Sequence, residues 1–251
     1  MKKRGQAALF IILGIIVVAI IIFLLIYTSR APKEVGQISS LSFETQSVKN
    51  HVEFCIAKTA REAIAYIGNY GGYFQLPSHS TVEFNTPIVY HLYNNQNLIP
   101  SLNRIEHELA AYMDSELFFC LENFKDIKKS GIEIQQGESL TEVLIEQNKL
   151  EFNINVPIRT KKGDIEISIS SFSVTIGDIR FETLYNIGKQ IVNQQLSDPN
   201  SLCISCLTEL VTENDLQLEI SQLDNSTKLF TIKDKNSLIN NQPYQYTFAI
   251  K

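Results

Sequence analysis

The amino-acid sequence predicts an α+β protein in which an N-terminal transmembrane helix precedes an extracytoplasmic domain with two amphipathic helices and an antiparallel sheet. The first observation behind this prediction is an uncharged apolar run at residues 9–27. The second is helical spacing of apolar residues in two later segments, residues 44–67 and 101–124. The third is a change to alternating apolar and polar residues after Gly131.

The apolar run predicts a helix that spans a membrane. It contains no charged residue, asparagine, glutamine or proline, and at ~1.5 Å per residue it extends roughly 28 Å, close to the ~30 Å hydrocarbon core of a bilayer. A cleavable secretory signal has a shorter apolar region that ends at a small-residue cleavage site, whereas this run continues into Thr28-Ser29-Arg30. The basic residues 2–4 precede the run, which predicts a cytoplasmic N-terminus and a main domain outside the membrane.

Lys3-Arg4-Gly5-Gln6, directly before the apolar run, resembles the class III signal peptide of archaeal type IV pilin-like proteins. This resemblance implies cleavage between Gly5 and Gln6 on the cytoplasmic side, with the hydrophobic stem retained on the mature protein. Many pilins carry a glutamate at the fifth mature position, where it aids subunit docking, but Phe10 stands there in this chain. The resemblance therefore favours a membrane-anchored, pilin-like protein over a subunit that forms filaments.

The chain divides into four predicted parts. They are a basic cytoplasmic leader (1–5), a transmembrane helix (6–27), a polar stalk (28–43) and an extracytoplasmic α+β domain (44–251), with subdivisions near residues 131 and 197. Pro32 and Gly36 lie in the stalk. They predict that the stem does not continue as one helix into the domain, because proline removes an amide donor and clashes with the preceding turn.

The two amphipathic helices also predict how the cysteines pair. Four cysteines in an oxidising compartment favour disulfide bonds. Cys55 and Cys120 each lie on the apolar stripe of a helix, so packing of the two stripes brings these cysteines together. We therefore predict a Cys55–Cys120 bridge, which leaves Cys203 and Cys206 as a local bridge.

The same two helices carry a second resemblance. The segments CIAKTAREAIAYIGNYGGYF and IPSLNRIEHELAAYMDSELFFCLENF are similar to the helices of uncharacterised archaeal proteins that are anchored in the membrane by the same kind of N-terminus. That family has no assigned activity, so the resemblance implies a structural class and no chemistry. Within the first segment, the paired glycines Gly71-Gly72 predict a left-handed helix cap followed by a turn, and Pro100 is predicted at the entry of the second helix.

Strand patterns occur on both sides of the second helix. Two short strands are predicted at 81–84 and 88–93, a hairpin at 141–146 and 150–156, and a strand with one solvent-exposed face at 165–176. A third helix is predicted at 181–196, ended by Asp198-Pro199. A small meander follows at 216–220, 229–232 and 244–250, with its first turn at Asp224-Asn225.

The segment Cys203-Ile204-Ser205-Cys206 has an alternative interpretation. C-x-x-C pairs occur in thiol–disulfide oxidoreductases, where a lowered cysteine pKa drives exchange and the pair begins a helix after a strand of a βαβ unit. The flanking residues allow a short helix start, but no aromatic residue precedes Cys203 and neither Gly-Pro nor Gly-His lies between the cysteines. A zinc site would need two further ligands at suitable spacing, and none lies nearby. A structural bridge is favoured over a redox pair, free thiols or half of a metal site.

No other motif predicts catalysis. His107 lacks the second histidine of H-E-x-x-H, and there is no G-x-S-x-G or G-x-G-x-x-G segment. The histidines are predicted in solvated positions: His51, His79, His91 and His107. Four acidic residues are predicted on the solvent face of the second helix: Glu106, Glu108, Asp114 and Glu116.

Asn225-Ser226-Thr227 is an N-x-[ST] sequon at a predicted turn, which makes Asn225 a candidate glycosylation acceptor.

The charge of the chain excludes a nucleic-acid partner. The net charge is −5, and without residues 2–4 the rest has 19 basic against 27 acidic residues, a net charge of −8, whereas phosphate binding needs a basic face.

Taken together, these features of the sequence predict a single-pass cell-surface protein, not an enzyme, with a structural or interaction role. Its predicted partners are the lipid bilayer and other pilin-like stems or surface proteins, with no cofactor, no metal and no identified ligand. The alternatives are an envelope thiol–disulfide oxidoreductase and a pilus or adhesion filament subunit.

Overall fold

The structure is a computed structural model that describes residues 34–83, 86–122, 124, 131–199 and 201–251. Residues 45–251 form one compact unit. The described chain contains four helices and two β-sheets, so the predicted α+β class is confirmed. The predicted leader, the predicted transmembrane helix and residues 28–33 of the predicted stalk lie outside the described residues.

The first helix, α1 (Glu34–Asn69), is longer than predicted. It begins at Glu34 instead of near Glu44, and it includes Gly36, which was expected to break it. The expectation was wrong because a single glycine costs a helix only about 1 kcal/mol relative to alanine. Pro32 lies outside the described residues.

The other three helices lie close to their predicted positions. They are α2 (Leu102–Leu121), α3 (Phe181–Ser197) and α4 (Ile204–Glu213). At the start of α2, the Ser101 side chain accepts a hydrogen bond from the Arg104 amide at 3.1 Å, which satisfies one of the free amides of the first turn. Pro100 therefore precedes the helix cap and does not occupy the first helical position.

Ten strands complete the described structure. In chain order they are β1 (Ser80–Glu83), β2 (Thr86–Tyr93), β3 (Gln96–Asn97), β4 (Glu133–Gln136), β5 (Leu140–Glu146), β6 (Lys149–Lys162), β7 (Ile165–Gly177), β8 (Gln217–Gln222), β9 (Lys228–Ile239) and β10 (Gln242–Ile250). Each predicted strand overlaps one of these, and β3 and β4 were not predicted.

The first sheet joins the C-terminal strand to strands from the first half of the compact unit. Its strand order is β1-β2-β10-β9-β8, with β3 paired to β2. The predicted meander forms its β8–β9–β10 part, and β10 also pairs in parallel with β2. The C-terminal strand is therefore bonded to a strand that lies between α1 and α2, across both predicted subdivisions of the domain.

The second sheet is built around β6. The predicted hairpin is present as β5 paired with β6, β4 pairs with a later part of the same β6 edge, and β7 pairs with the opposite edge. The β6–β7 register shifts between Asn155 and Ile158, where Pro157 interrupts the run of pairs. This sheet therefore has one edge formed by β4 and β5 and another formed by β7.

One large apolar cluster connects the helices with both sheets. It contains the inner stripes of α1 and α2, alternate residues of β6, and the aromatic side chains of β9 and β10. The approach of α1 to β10 depends on Gly68, because a Cβ there would collide with the Gln245 carbonyl oxygen and the Tyr244 hydroxyl. The core thus fixes the positions of the helices relative to the edges of both sheets.

Candidate functional site

The Cys55–Cys120 bridge is present as predicted. Its Cα atoms are 5.7 Å apart, Cys55 is fully buried, and the ring of His51 contacts that of Phe124 at a centroid distance of 4.9 Å one turn away. Lower residue numbers on α1 therefore pair with higher numbers on α2, so the two helices run antiparallel. The bridge ties together segments 65 residues apart in the chain.

Three exposed phenylalanines lie next to this bridge in the sequence. Phe54 precedes Cys55, and Phe118 and Phe119 precede Cys120; the three side chains are 64%, 47% and 61% exposed. The rings of Phe118 and Phe119 are 5.9 Å apart. Large apolar side chains that remain in water in this way are more typical of contact surfaces than of solvated helix faces.

The Cys203–Cys206 bridge is also present, at the first turn of α4. Its Cα atoms are 5.3 Å apart, and the Cys203 sulfur accepts a hydrogen bond from the Cys206 amide at 3.3 Å. Cys203 is half-buried and Cys206 is exposed. The preceding element is helix α3 and the following strand is antiparallel, so the pair starts a helix but does not lie in a βαβ unit.

Glu108 is not on a solvated face, so the prediction for this residue was wrong. It is buried, and one carboxylate oxygen accepts hydrogen bonds from the amides of Phe74 and Gln75, both at 2.9 Å. The other oxygen accepts from the Arg104 Nε at 2.8 Å. Glu108 therefore holds the turn that follows α1 against α2.

Glu106 and Asp114 were also predicted to be solvated, and both contact the edge of the second sheet instead. Glu106 accepts a hydrogen bond from the Ile145 amide at 2.9 Å. Asp114 accepts from the Thr141 amide at 3.4 Å and from the Thr141 hydroxyl at 2.7 Å. Because both amides belong to β5, helix α2 caps the outer edge of that strand.

The opposite edge of the same sheet has no such cover among the residues that the structure describes. Strand β7 pairs with β6 along one side, and no described strand pairs with its other side. Its residues include one charged side chain, Glu166, and neither lysine, arginine nor proline. The edge therefore lacks the lysine and proline residues that proteins commonly use to prevent strand pairing.

His91 is buried, contrary to the prediction that all four histidines are solvated. Its Nε2 donates a hydrogen bond to the Gly71 carbonyl at 2.8 Å, and its ring stacks on Phe248 at 4.6 Å. Burial lowers the pKa of His91 to about 4, against the opposing effect of the Gly71 carbonyl. The predicted left-handed turn is confirmed here, since Gly71 has φ +60°, and a Cβ would lie 3.0 Å from the His91 ring nitrogen. The sequence signal that could have found this burial is the nearly continuous apolar and aromatic run around His91, from Ile88 to Tyr93, which is typical of a strand buried on both faces.

The sequence gave no indication of an ion pair between Arg180 and Asp234. The guanidinium donates two hydrogen bonds to the fully buried carboxylate, at 2.8 and 2.6 Å. Burial raises the pKa of Asp234, but the hydrogen bonds from Arg180 and Ser237 outweigh burial and lower the pKa overall. This pair fixes the start of α3 to β9 and serves the fold.

Asn225 is exposed at the predicted turn between β8 and β9. The neighbouring Asp224 carboxylate accepts hydrogen bonds from the amides of Ser226 and Thr227, both at 2.7 Å, and from the Thr227 hydroxyl at 2.9 Å. These hydrogen bonds hold the pKa of Asp224 well below its usual range. The Asn225 side chain is accessible from outside the fold, as glycosylation requires.

A cleft of about 440 Å³ lies where the end of α1 meets the β9–β10 hairpin. Its polar lining includes Asn69 and Gln245, which are bonded to each other at 2.6 Å, and Lys233, which pairs with Glu219. The described residues contain no group of three or more histidine, cysteine or acidic side chains that could hold a metal ion. The polar groups of the cleft are thus mainly amides, and its described lining contains no arrangement of catalytic residues.

A scan against protein-family models found no match, and searches of curated proteins and of solved structures found none either. Within the part of the chain that the structure describes, no helix is long and apolar enough to cross a membrane. The predicted span and the predicted cleavage site, Gly5-Gln6, lie outside that part. The function has to be inferred from the chain's own residues.

Proposed function

We propose that this chain is a single-pass membrane-anchored protein of the cell surface, whose disulfide-stabilised α+β domain has a structural or interaction role. The observation that carries this proposal is the pairing of all four cysteines into two disulfides. Disulfides persist in oxidising compartments outside the cytoplasm. The apolar run at 9–27 and the cations that precede it would hold such a domain outside the membrane.

The interaction role is supported by the surface of the domain. Phe54, Phe118 and Phe119 remain in water near one disulfide, and β7 has a long free edge. Apolar patches and free strand edges are both common at protein–protein contacts. The cleft and the buried histidine offer no comparable support for an enzyme.

The resemblance at Gly5-Gln6 makes this proposal testable at the N-terminus. The protein would be recovered from native membranes, and the mass of its N-terminal peptide would be measured. A peptide that starts at Gln6 would show class III processing of a pilin-like protein, and one that starts at Met1 would indicate an ordinary signal anchor. Recovery in the soluble fraction would refute the anchoring, and labelling of domain lysines by a membrane-impermeant reagent only after lysis would refute the placement of the domain outside the membrane.

A second candidate function is that of an envelope thiol–disulfide oxidoreductase. It is favoured by one observation, the exposed Cys206 at the first turn of a helix, where partial positive charge stabilises a thiolate. Serine at both Cys203 and Cys206 would abolish exchange with a disulfide substrate if this candidate were right. A loss of thermal stability alone would refute it.

A further inference from the structure

The two edges of the second sheet differ in whether a neighbouring element bonds their backbone amides. On the β5 edge, the Thr141 and Ile145 amides point away from β6 and are bonded to the carboxylates of Asp114 and Glu106 on α2. On the β7 edge, no described element forms such bonds. An unpaired edge of 13 residues presents a row of free amide and carbonyl groups, which is a template for another strand.

The residues of β7 favour pairing along most of its length. The strand alternates isoleucine with Glu166 and serine up to Ser170, changes phase at Ser170-Ser171, where its pairing with β6 also shifts register, and then alternates phenylalanine, valine and isoleucine with serine and threonine. Its exposed polar residues include Ser168, Ser171 and Ser173. β-Branched and aromatic residues pack well across paired strands, and serine and threonine hydroxyls bond across them. Protected edges carry lysine, proline or an inward-pointing charge, and β7 has none of these.

We infer that β7 pairs edge to edge with β7 of a second copy of this chain, in antiparallel orientation about a two-fold axis. The charge distribution favours this partner, because Glu166 is the one charged residue and lies near the start of the strand. Antiparallel pairing places the two copies of Glu166 at opposite ends of the joint sheet, whereas a parallel pair would bring them close together. Like charges directly opposite each other destabilise a strand pair.

The same geometry limits the assembly to two copies. Pairing of two β7 strands joins two four-stranded sheets into one, and the outer edges of that sheet are then formed by β4 and β5. Since α2 already bonds the Thr141 and Ile145 amides of β5 and β4 has only 4 residues, neither outer edge is equivalent to β7 as a site for a third copy. A contact between identical surfaces about a two-fold axis is closed, so a dimer is expected and a fibre is not.

This inference rests on the proposed function, because copies anchored in one bilayer meet at a high effective concentration. A strand pair alone contributes modest affinity, and anchoring supplies the rest.

The pairing is tested first by disulfide trapping in the full-length protein, reconstituted in lipid vesicles. Single cysteines replace exposed serines of β7 in three variants, S168C, S171C and S173C. The control is N153C, at an exposed position of the central strand β6 of the same sheet. Near the two-fold axis, identical positions of the two copies lie opposite each other. At least one β7 variant is therefore expected to form a reducible dimer under mild oxidation, while N153C remains monomeric.

The second test adds like charges to the edge. The double variant S168K/S173K is compared with N153K, which places lysine on the same exposed face of the sheet but in the central strand β6, directly opposite Ser173. In vesicles, dimerisation measured by fluorescence transfer is expected to weaken about tenfold or more for S168K/S173K and to change little for N153K. Circular dichroism and intact disulfides show whether each variant is folded.

Three results would overturn the inference. They are a folded protein that is monomeric at all densities in the vesicles, a dimer that S168K/S173K leaves unchanged, and trapping of the β7 cysteines to a different polypeptide in native membranes. Each of these leaves the anchoring intact, because membrane fractionation and surface labelling measure the attachment and the placement of the domain independently. Failure of anchoring would instead appear as loss of the membrane-bound form.

Discussion

Replacement of Glu108 by alanine should strongly destabilise the protein. The variant removes the acceptor of the Phe74 and Gln75 amides, at 2.9 Å each, and of the Arg104 guanidinium. A hydrogen bond to a charged group contributes about 1.5–3 kcal/mol, and a buried donor left unpaired costs a similar amount. Two amide donors would therefore cost about 3–6 kcal/mol if fully buried.

Partial solvent exposure of the three donors reduces this free-energy cost. Phe74 is half-buried and Gln75 is exposed, so water can replace part of the lost bonding, and the Arg104 side chain is 57% exposed and can be solvated again. We expect the free energy of unfolding to fall by about 2–4 kcal/mol, which for a domain of this size corresponds to a melting temperature lower by roughly 4–16 °C.

Urea unfolding of the detergent-solubilised protein, followed by near-ultraviolet circular dichroism, would measure this change. E108Q keeps the shape and one acceptor oxygen, and it should lose less than E108A. E53A is the matched control, because Glu53 is half exposed and its ion pair with Lys49 spans 3.7 Å; such pairs contribute at most about 1 kcal/mol. If E108A unfolds within the range of E53A, the contacts of Glu108 do not stabilise the fold as argued.

Three further predictions concern the disulfides and the buried histidine. Alanine at both Cys55 and Cys120 should lower the free energy of unfolding by about 4 kcal/mol, since the bridge closes a loop with a sequence separation of 65; an unchanged urea midpoint would contradict this. Alanine at both Cys203 and Cys206, with a separation of 3, should cost only about 1–2 kcal/mol, and a loss equal to that of the first pair would refute the loop-length argument. His91 is neutral in the folded protein, with a pKa of about 4 against ~6.5 when unfolded, so its contribution is present above pH 6.5 and is lost as the pH falls to 4. H91Q should therefore lose about 3 kcal/mol less stability than the wild type between pH 7 and 4, and parallel pH profiles would exclude His91 as the cause.

The sequence by itself determined the kind of each major element and the pairing of the cysteines. Apolar spacing is a local property, so the alternation at 165–176 and the helical stripe at 181–196 could be recognised without any partner. The bridge between Cys55 and Cys120 followed from the same periodicity, because apolar stripes pack against each other. The local bridge at Cys203 then followed by elimination.

Only the tertiary structure decided the roles of the polar residues. Glu106, Glu108 and Asp114 look like an ordinary solvated helix face, and their function became visible once the unpaired amides of other segments were placed beside them. His91 is buried because β2 joins β10 in parallel, a pairing between distant segments that no local pattern encodes. Whether a strand edge is capped, like β5, or free, like β7, likewise depends on what packs beside it. Local spacing records which residues avoid water, whereas hydrogen-bond partners and sheet edges are set by segments that meet only when the chain folds.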